Sequence, residues 1–310
     1  MSIVANTFSD VLSSEAIYQS MIRFAVILAF AAVGEWVAER AGTLNISLES
    51  FMIGGAYSAA VAYGVWHSIP AALAVGALIG IVVAAVQAWL SHWLTIDQFV
   101  VGLTLNILVL GLALFLDTRW AAKTPVPKPT QIPLLHRIPL VGEALFGQPW
   151  PMLLIIPLIP LAWWLLFRTR WGLEIRSVGD NPQAADVSGI HVNKRRRQAI
   201  LFAGACAGLG GGVLVLGQVG INGYEAGHIG LKGIIAIAAV IFGGWTLRGT
   251  VIGCLVFGYF FAFQQAKLVD INPQLNASLP YIVALAVTAI FARRTRQPRA
   301  LAQPFIRGLT

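Results

Sequence analysis

A carboxylate and several carboxamides stand in parts of this sequence that are otherwise too apolar to hold them. Glu49 opens the apolar stretch 46–66 within Leu44-Asn-Ile-Ser-Leu-Glu-Ser50, and Gln98 and Asn106 fall in the stretch 98–116. Polar groups in hydrocarbon are costly unless paired or wetted, so residues of this kind are candidates for function. Asn45, Glu49, Gln98 and Asn106 together could line a route for a hydroxyl-rich solute, giving hydrogen bonds without high affinity. Glu49 and Asn106 are the two expected to face such a cavity. Asp97 and Lys232 lie near the ends of apolar stretches, where solvation or snorkelling suffices. Arg23 and Glu35 are expected to be packed or interfacial.

Motifs for covalent or hydrolytic chemistry are missing. The chain has no G-x-x-x-x-G-K-[ST] stretch, hence no nucleotide-binding loop, and no G-x-S-x-G elbow, zinc-ligand spacing or acid pair placed for hydrolysis. No catalytic residue, metal or cofactor is expected in it. Energy for any active process must come from another chain or from an ion gradient.

A second group of residues could couple such an energy source to the chain. Asn181 followed by Pro182 is a strong helix start, an acceptor side chain at the cap and then proline at the first helical position. Gly189 is a natural stop. Between them Gln183 to Ser188 make about two turns with small Ala184 and Ala185 and one acid, Asp186. The spacing predicts a short helix carrying little bulk, which is either an ordinary surface helix or a knob for a groove on a partner.

These groups must be positioned by apolar helices. Of the 310 residues, 57% are hydrophobic and 11% charged, against about 25% charged in soluble domains. A soluble fold could not bury so much apolar surface, so the class is an all-α, polytopic transmembrane bundle. Spans are expected at 16–36, 46–66, 69–92, 98–116, 150–167, 199–219, 230–246, 249–266 and 277–292, about nine (8–10), with tight breaks at 67–68 and 247–248. Residues 1–15 read as a polar lead-in; with no basic residue before Arg23, they are not expected to be a cleavable signal.

The formal net charge is +8, and its basic residues gather at 168–197 and 293–307. That is the pattern of cytoplasmic loops and not of a nucleic-acid binder. It puts the C-terminus in the cytoplasm and the N-terminus outside, with 117–149 as a proline-rich extracytoplasmic loop and 168–198 as a cytoplasmic loop in one domain, 1–310. Cys206 and Cys254 lie in apolar stretches and read as small buried hydrophobes. Gly204, Gly208 and Gly212, spaced i, i+4, make a smooth stripe for close helix packing, repeated by Gly76 with Gly80 and Gly249 with Gly253.

Four blocks resemble a known family. Gly34-Glu-Trp-Val-Ala-Glu-Arg-Ala-Gly-Thr-Leu-Asn-Ile-Ser-Leu-Glu49, Asp97-Gln-Phe-Val-Val-Gly-Leu-Thr-Leu-Asn106, Val178-Gly-Asp-Asn-Pro-Gln-Ala-Ala-Asp-Val-Ser-Gly-Ile190 and Ala236-Ile-Ala-Ala-Val-Ile-Phe-Gly-Gly-Trp245 are similar, in order, to bacterial ABC-importer inner-membrane permeases of the simple-sugar/nucleoside type, relatives of the branched-chain amino acid permeases. The resemblance implies a multi-pass protein of the cytoplasmic membrane that passes nucleosides or simple sugars. It implies a cytoplasmic ABC ATPase, a second homologous permease and an extracytoplasmic binding protein as partners, besides solute and lipid. Coupling to the ATPase would fall on Asn181, Pro182, Ala184, Ala185, Asp186, Gly189 and Ile190. Ser50 stands where the family usually has glycine and Leu247 where proline is common, both near helix breaks. Readings left beside it are an ion-coupled secondary transporter, a branched-chain amino acid permease and a membrane-embedded enzyme.

Overall fold

The computed structural model describes residues 15–120, 147–217, 224–225, 229–266, 272–291 and 297–307. These residues form an all-helical bundle: α1 (Glu15–Arg40), α2 (Leu48–Trp66), α3 (Ile69–His92), α4 (Gln98–Asp117), α5 (Trp150–Leu153), α6 (Ile155–Arg168), α7 (Arg170–Asp180), α8 (Pro182–Val187), α9 (Val192–Gly217), α10 (Lys232–Phe242), α11 (Leu247–Ala266) and α12 (Pro273–Phe291). Among the described residues, six helical stretches are long and apolar enough to cross a membrane: Ala16–Arg40, Ile69–His92, Gln98–Asp117, Trp150–Arg168, Val192–Gly217 and Leu247–Ala266. Most of the loop 117–149 and the basic residues at 293–296 lie outside the described residues.

Burial separates the centre from the periphery. The most apolar window of α1 is 83% buried and that of α9 78%, whereas α4 reaches only 22%. The outer helices turn Ile107, Leu108, Leu114, Phe115 and Trp164 outward. In water such a face would be an aggregation surface, and in lipid it is an ordinary one.

The centre is close-packed because glycines meet across it. A Cβ on Gly80 would overlap the Gly204 carbonyl, and one on Gly55 would overlap that of Gly208. One on Gly208 would lie 2.9 Å from Gly80 Cα. Without side chains at these positions, α9 lies backbone to backbone on α2 and α3, the arrangement that replaces hydrophobic drive inside a bilayer. Gly212, the third member of the stripe, is looser, with Ala59 Cβ and Leu73 Cδ2 each at 3.2 Å.

Three boundaries differ from the sequence expectation. The stretch 230–246 is helical only over Lys232–Phe242, a length of about 16 Å against roughly 30 Å of hydrocarbon. Its end comes early because Gly243 and Gly244 turn, and Trp245 takes a left-handed conformation at φ 56°. The expected break at 247–248 therefore falls at 243–246, and Leu247 is already helical. The stretch 168–198 is largely helical, with α9 starting at Val192 and carrying Lys194 to Arg197 out of the apolar zone. The break at 67–68 is as expected: His67 ends α2 at φ 53°, its N–H donating to Tyr63 O at 2.8 Å.

Gly208→Leu is expected to pry α9 from α3 and to cost about 1–3 kcal/mol as an overpacked core does. Gly111→Ala, which meets open space, should be neutral or gain up to about 1 kcal/mol from helix propensity. Thermal unfolding of the two purified variants in detergent checks the contrast.

Candidate functional site

Two groups of side chains stand out, one at the basic end of the bundle and one behind it. At the first, Asn181 caps α8 with its Oδ1 accepting the Ala184 N–H at 3.0 Å, and Pro182 opens the helix. Ser188 N–H donates to Ala184 O at 3.1 Å and Ile190 N–H to Ala185 O at 3.0 Å, while Gly189 turns at φ 85°. The local sequence thus closes both ends of the helix with its own groups. Ala185 faces inward onto Val178 and Val192, with Ile190 and Phe305 packed around them. Val187 points the other way and is 90% exposed. Asp186 pairs with Arg307 at 3.0 Å.

The second group surrounds residues 43–50, where the backbone leaves α1 and enters α2. A chain that is neither helix nor sheet must find other partners for its amides when buried. Here side chains supply them. Asn45 N–H donates to Glu35 Oε1 at 3.1 Å, Leu44 N–H to Gln98 Oε1 at 2.9 Å and Ser50 N–H to Asn106 Oδ1 at 2.9 Å. Asn106 Nδ2 also donates to Ile46 O at 2.9 Å. The Asn45 side chain accepts the Ser47 hydroxyl at 3.1 Å, and Ser47 also meets Gln87. Ser50, at the position where the resemblance would place glycine, is fully buried and donates its hydroxyl to Ser47 O at 2.6 Å.

Glu49 serves a different backbone. Its two carboxylate oxygens accept the N–H groups of Leu231 (2.9 Å) and Gly233 (2.6 Å), 182 and 184 residues away. These are amides at the start of α10, so Glu49 satisfies a helix N-terminus that begins inside the bundle and complements its dipole. Lys232 beside it donates to Ile229 O at 3.1 Å and lies 5.2 Å from the Phe261 ring centroid. The other end of α10 is fixed by α1: the Trp245 indole donates to Glu39, and Trp245 O accepts from Trp36 Nε1 at 2.8 Å and Arg40 Nε at 3.1 Å.

The structure brings Asn45, Glu49, Gln98 and Asn106 together, each holding part of one irregular segment or the helix beside it. It brings Asn181, Pro182, Ala184, Ala185, Asp186, Gly189 and Ile190 together as one capped turn with its exit. Gly204, Gly208 and Gly212 lie on α9 between α2 and α3. What joins the two polar groups is a residue the sequence reading treated only as charge. Arg196 is fully buried and donates to Ala41 O (3.3 Å), Ala300 O (3.3 Å) and Gln303 O (2.6 Å). Its signal was helical spacing: Arg196 shares a face with Ala199, Ile200 and Ala203, all fully buried.

Among the described residues no group of His, Cys, Asp and Glu is placed to hold a metal. An apolar bundle with several helices long enough to cross a bilayer is, in architecture, a multi-pass membrane protein. The chain belongs to the family described as the branched-chain amino acid transport system permease component, which matches residues 17–291. It is 34% identical to the guanosine ABC transporter permease of Bacillus subtilis (92% of this chain, 94% of the relative). It is 33% identical to a nucleoside ABC transporter permease of Lactococcus lactis (92% and 95%). A solved inward-facing ABC transporter assigned to the metal-chelate type shares the fold, with TM-score 0.52 at 12% identity over 89% of this chain and 85% of that one. The chain is thus an ABC permease component, a transport subunit and not an enzyme, and the ion-coupled reading is set aside.

Glu49→Ala leaves the Leu231 and Gly233 amides without an acceptor, at an expected cost on the order of 2 kcal/mol. Glu49→Gln keeps one carbonyl oxygen and should lose less. Hydrogen exchange at Leu231 and Gly233, compared across the three proteins, reads the difference.

Proposed function

We propose that this chain passes nucleosides across the bacterial cytoplasmic membrane as the permease of an importer driven by a separate cytoplasmic ATPase. The observation that carries the solute class is full-length similarity, at about one-third identity, to two permeases of nucleoside type. Simple sugars are the second solute class, from the sequence resemblance. A second homologous permease and an extracytoplasmic binding protein complete the assembly.

The coupling segment is Asn181 to Ile190. A helix of two turns, closed at both ends and offering Val187 to solvent, suits insertion into a groove of the ATPase. Its motion would reach the polar segment 43–50 through Gly179, where any Cβ would overlap Arg40 O. Asn45, Glu49, Gln98 and Asn106 then act on the route by fixing the backbone that frames it. In this reading the chain crosses the membrane nine times, α10 completing its crossing with the non-helical residues that flank it, with 117–149 outside and 168–198 and the C-terminus in the cytoplasm.

The solute is tested by uptake of labelled guanosine in cells expressing the intact transporter, with ribose, galactose and leucine as competitors. Competition by unlabelled nucleosides alone supports the proposal; equal competition by ribose or leucine refutes it. Topology is tested by thiol labelling. Both native cysteines are buried, so background should be low. Thr118→Cys is expected to label from outside intact cells and Val187→Cys only after permeabilisation, and the opposite pattern would invert the chain.

A further inference from the structure

We infer that residues 297–307 form a strap that holds α8 in its docking pose and completes the surface offered to the ATPase; this rests on the reading of α8 as the coupling helix. The strap is anchored first to the bundle. Ala300 N–H donates to Gly179 O at 3.0 Å and Ala302 N–H to Gly42 O at 3.1 Å, and Arg196 holds the Ala300 and Gln303 carbonyls. Past that anchor it turns to the coupling region: Asn193 Nδ2 donates to Phe305 O at 3.3 Å, and Arg307 Nε to Asp186 Oδ2 at 3.0 Å.

The strap matters because α8 cannot hold itself. Helices shorter than about 12 residues are marginal without tertiary support, and α8 spans 6 residues with Ala185 as its buried member. A methyl group gives little grip. Phe305 supplies the large apolar body over Ala185, Val178 and Val192. The Arg307–Asp186 pair is exposed on the arginine side (72%) and adds little by itself, so Phe305 is the positioning residue and the ion pair sets its register.

The resulting surface has a defined chemistry. Val187 is 90% and Ile306 43% exposed, both outside the helices long enough to cross lipid. Next to them in the chain, Asp186 and Arg307 pair, and together with Lys194 and Arg197 they border a cavity of about 370 Å³ between the strap and the start of α9. Two apolar tips flanked by cations match an apolar socket with carboxylates on its rim. The occupant assigned is that face of the cytoplasmic ATPase.

The test uses the complete transporter in nanodiscs with three permease variants: a stop after Gln303, which spares every Arg196 contact; full-length Phe305→Ser; and Val187→Asp. Permease yield and thermal unfolding establish folding, and ATPase co-purification and solute-stimulated hydrolysis are the readouts. The expected result is at least a tenfold loss of co-purification for the truncation and for Phe305→Ser, with unfolding temperatures unchanged. If Val187→Asp abolishes association while truncation and Phe305→Ser leave it intact, the strap inference fails and the coupling reading stands. If Val187→Asp is harmless, the coupling reading fails and the strap inference with it. A truncation that cannot be purified leaves the decision to Phe305→Ser. Loss seen in anionic but not zwitterionic nanodiscs would assign the surface to lipid headgroups and also overturn the inference.

Discussion

A guanidinium with no access to water must spend its donors on the protein, and in this chain Arg196 spends them on carbonyls from distant segments. Ala41 ends α1, while Ala300 and Gln303 belong to the carboxy-terminal segment. Burying a charge is expensive unless hydrogen bonds replace its hydration, so these segments and the start of α9 have to be together or Arg196 cannot be where it is. One side chain thereby fixes the basic end of the bundle. The rest of that end is built outward from it: Glu174 pairs with Arg195, and the Trp171 indole donates to Gln198 at 3.0 Å, tying α7 to α9.

Deeper in the bundle, the governing constraint is that no amide can be left bare. The stretch 43–50, non-helical up to Ser47 and then the first turn of α2, takes partners from Glu35, Gln98 and Asn106, and the inner start of α10 takes its partner from Glu49. Glycine-to-glycine packing of α9 on α2 and α3 then leaves little slack between these parts. The segment before α8 is likewise in tight contact with the end of α1, since a Cβ on Gly179 would overlap Arg40 O. Broken helices are where irregular backbone at membrane depth lines pathways in transporters.

Much of this was legible in the sequence. Hydropathy located the long apolar helices, because roughly 20 apolar residues in a row have few other readings, but it missed that α9 runs on past the apolar stretch to start at Val192. Asn181-Pro182 and Gly189 gave α8 with both its ends, because capping chemistry is local. Where meaning depends on a distant partner, the sequence was mute. Glu49 and Asn106 look alike whether they greet a solute or a backbone amide; only the fold shows that they hold Leu231, Gly233 and Ser50. The shortness of α10 depends on Trp245 being held by Glu39, Trp36 and Arg40, over 200 residues upstream. Arg196 was hidden among neighbouring cations, and nothing local marks Phe305 as a lid for Ala185.

If Arg196 unites the region around α8 with the segment behind it, weakening its bonds must loosen both at once. The direct measurement is amide hydrogen exchange on the intact transporter with Arg196→Lys, which keeps the charge and removes the fork of donors. Loss of protection at Ala300 and Ala302 together with Ala185, Asn45 and Ser50 is the predicted result. Loss confined to Ala300 and Ala302, with Ala185, Asn45 and Ser50 as protected as before, would contradict it.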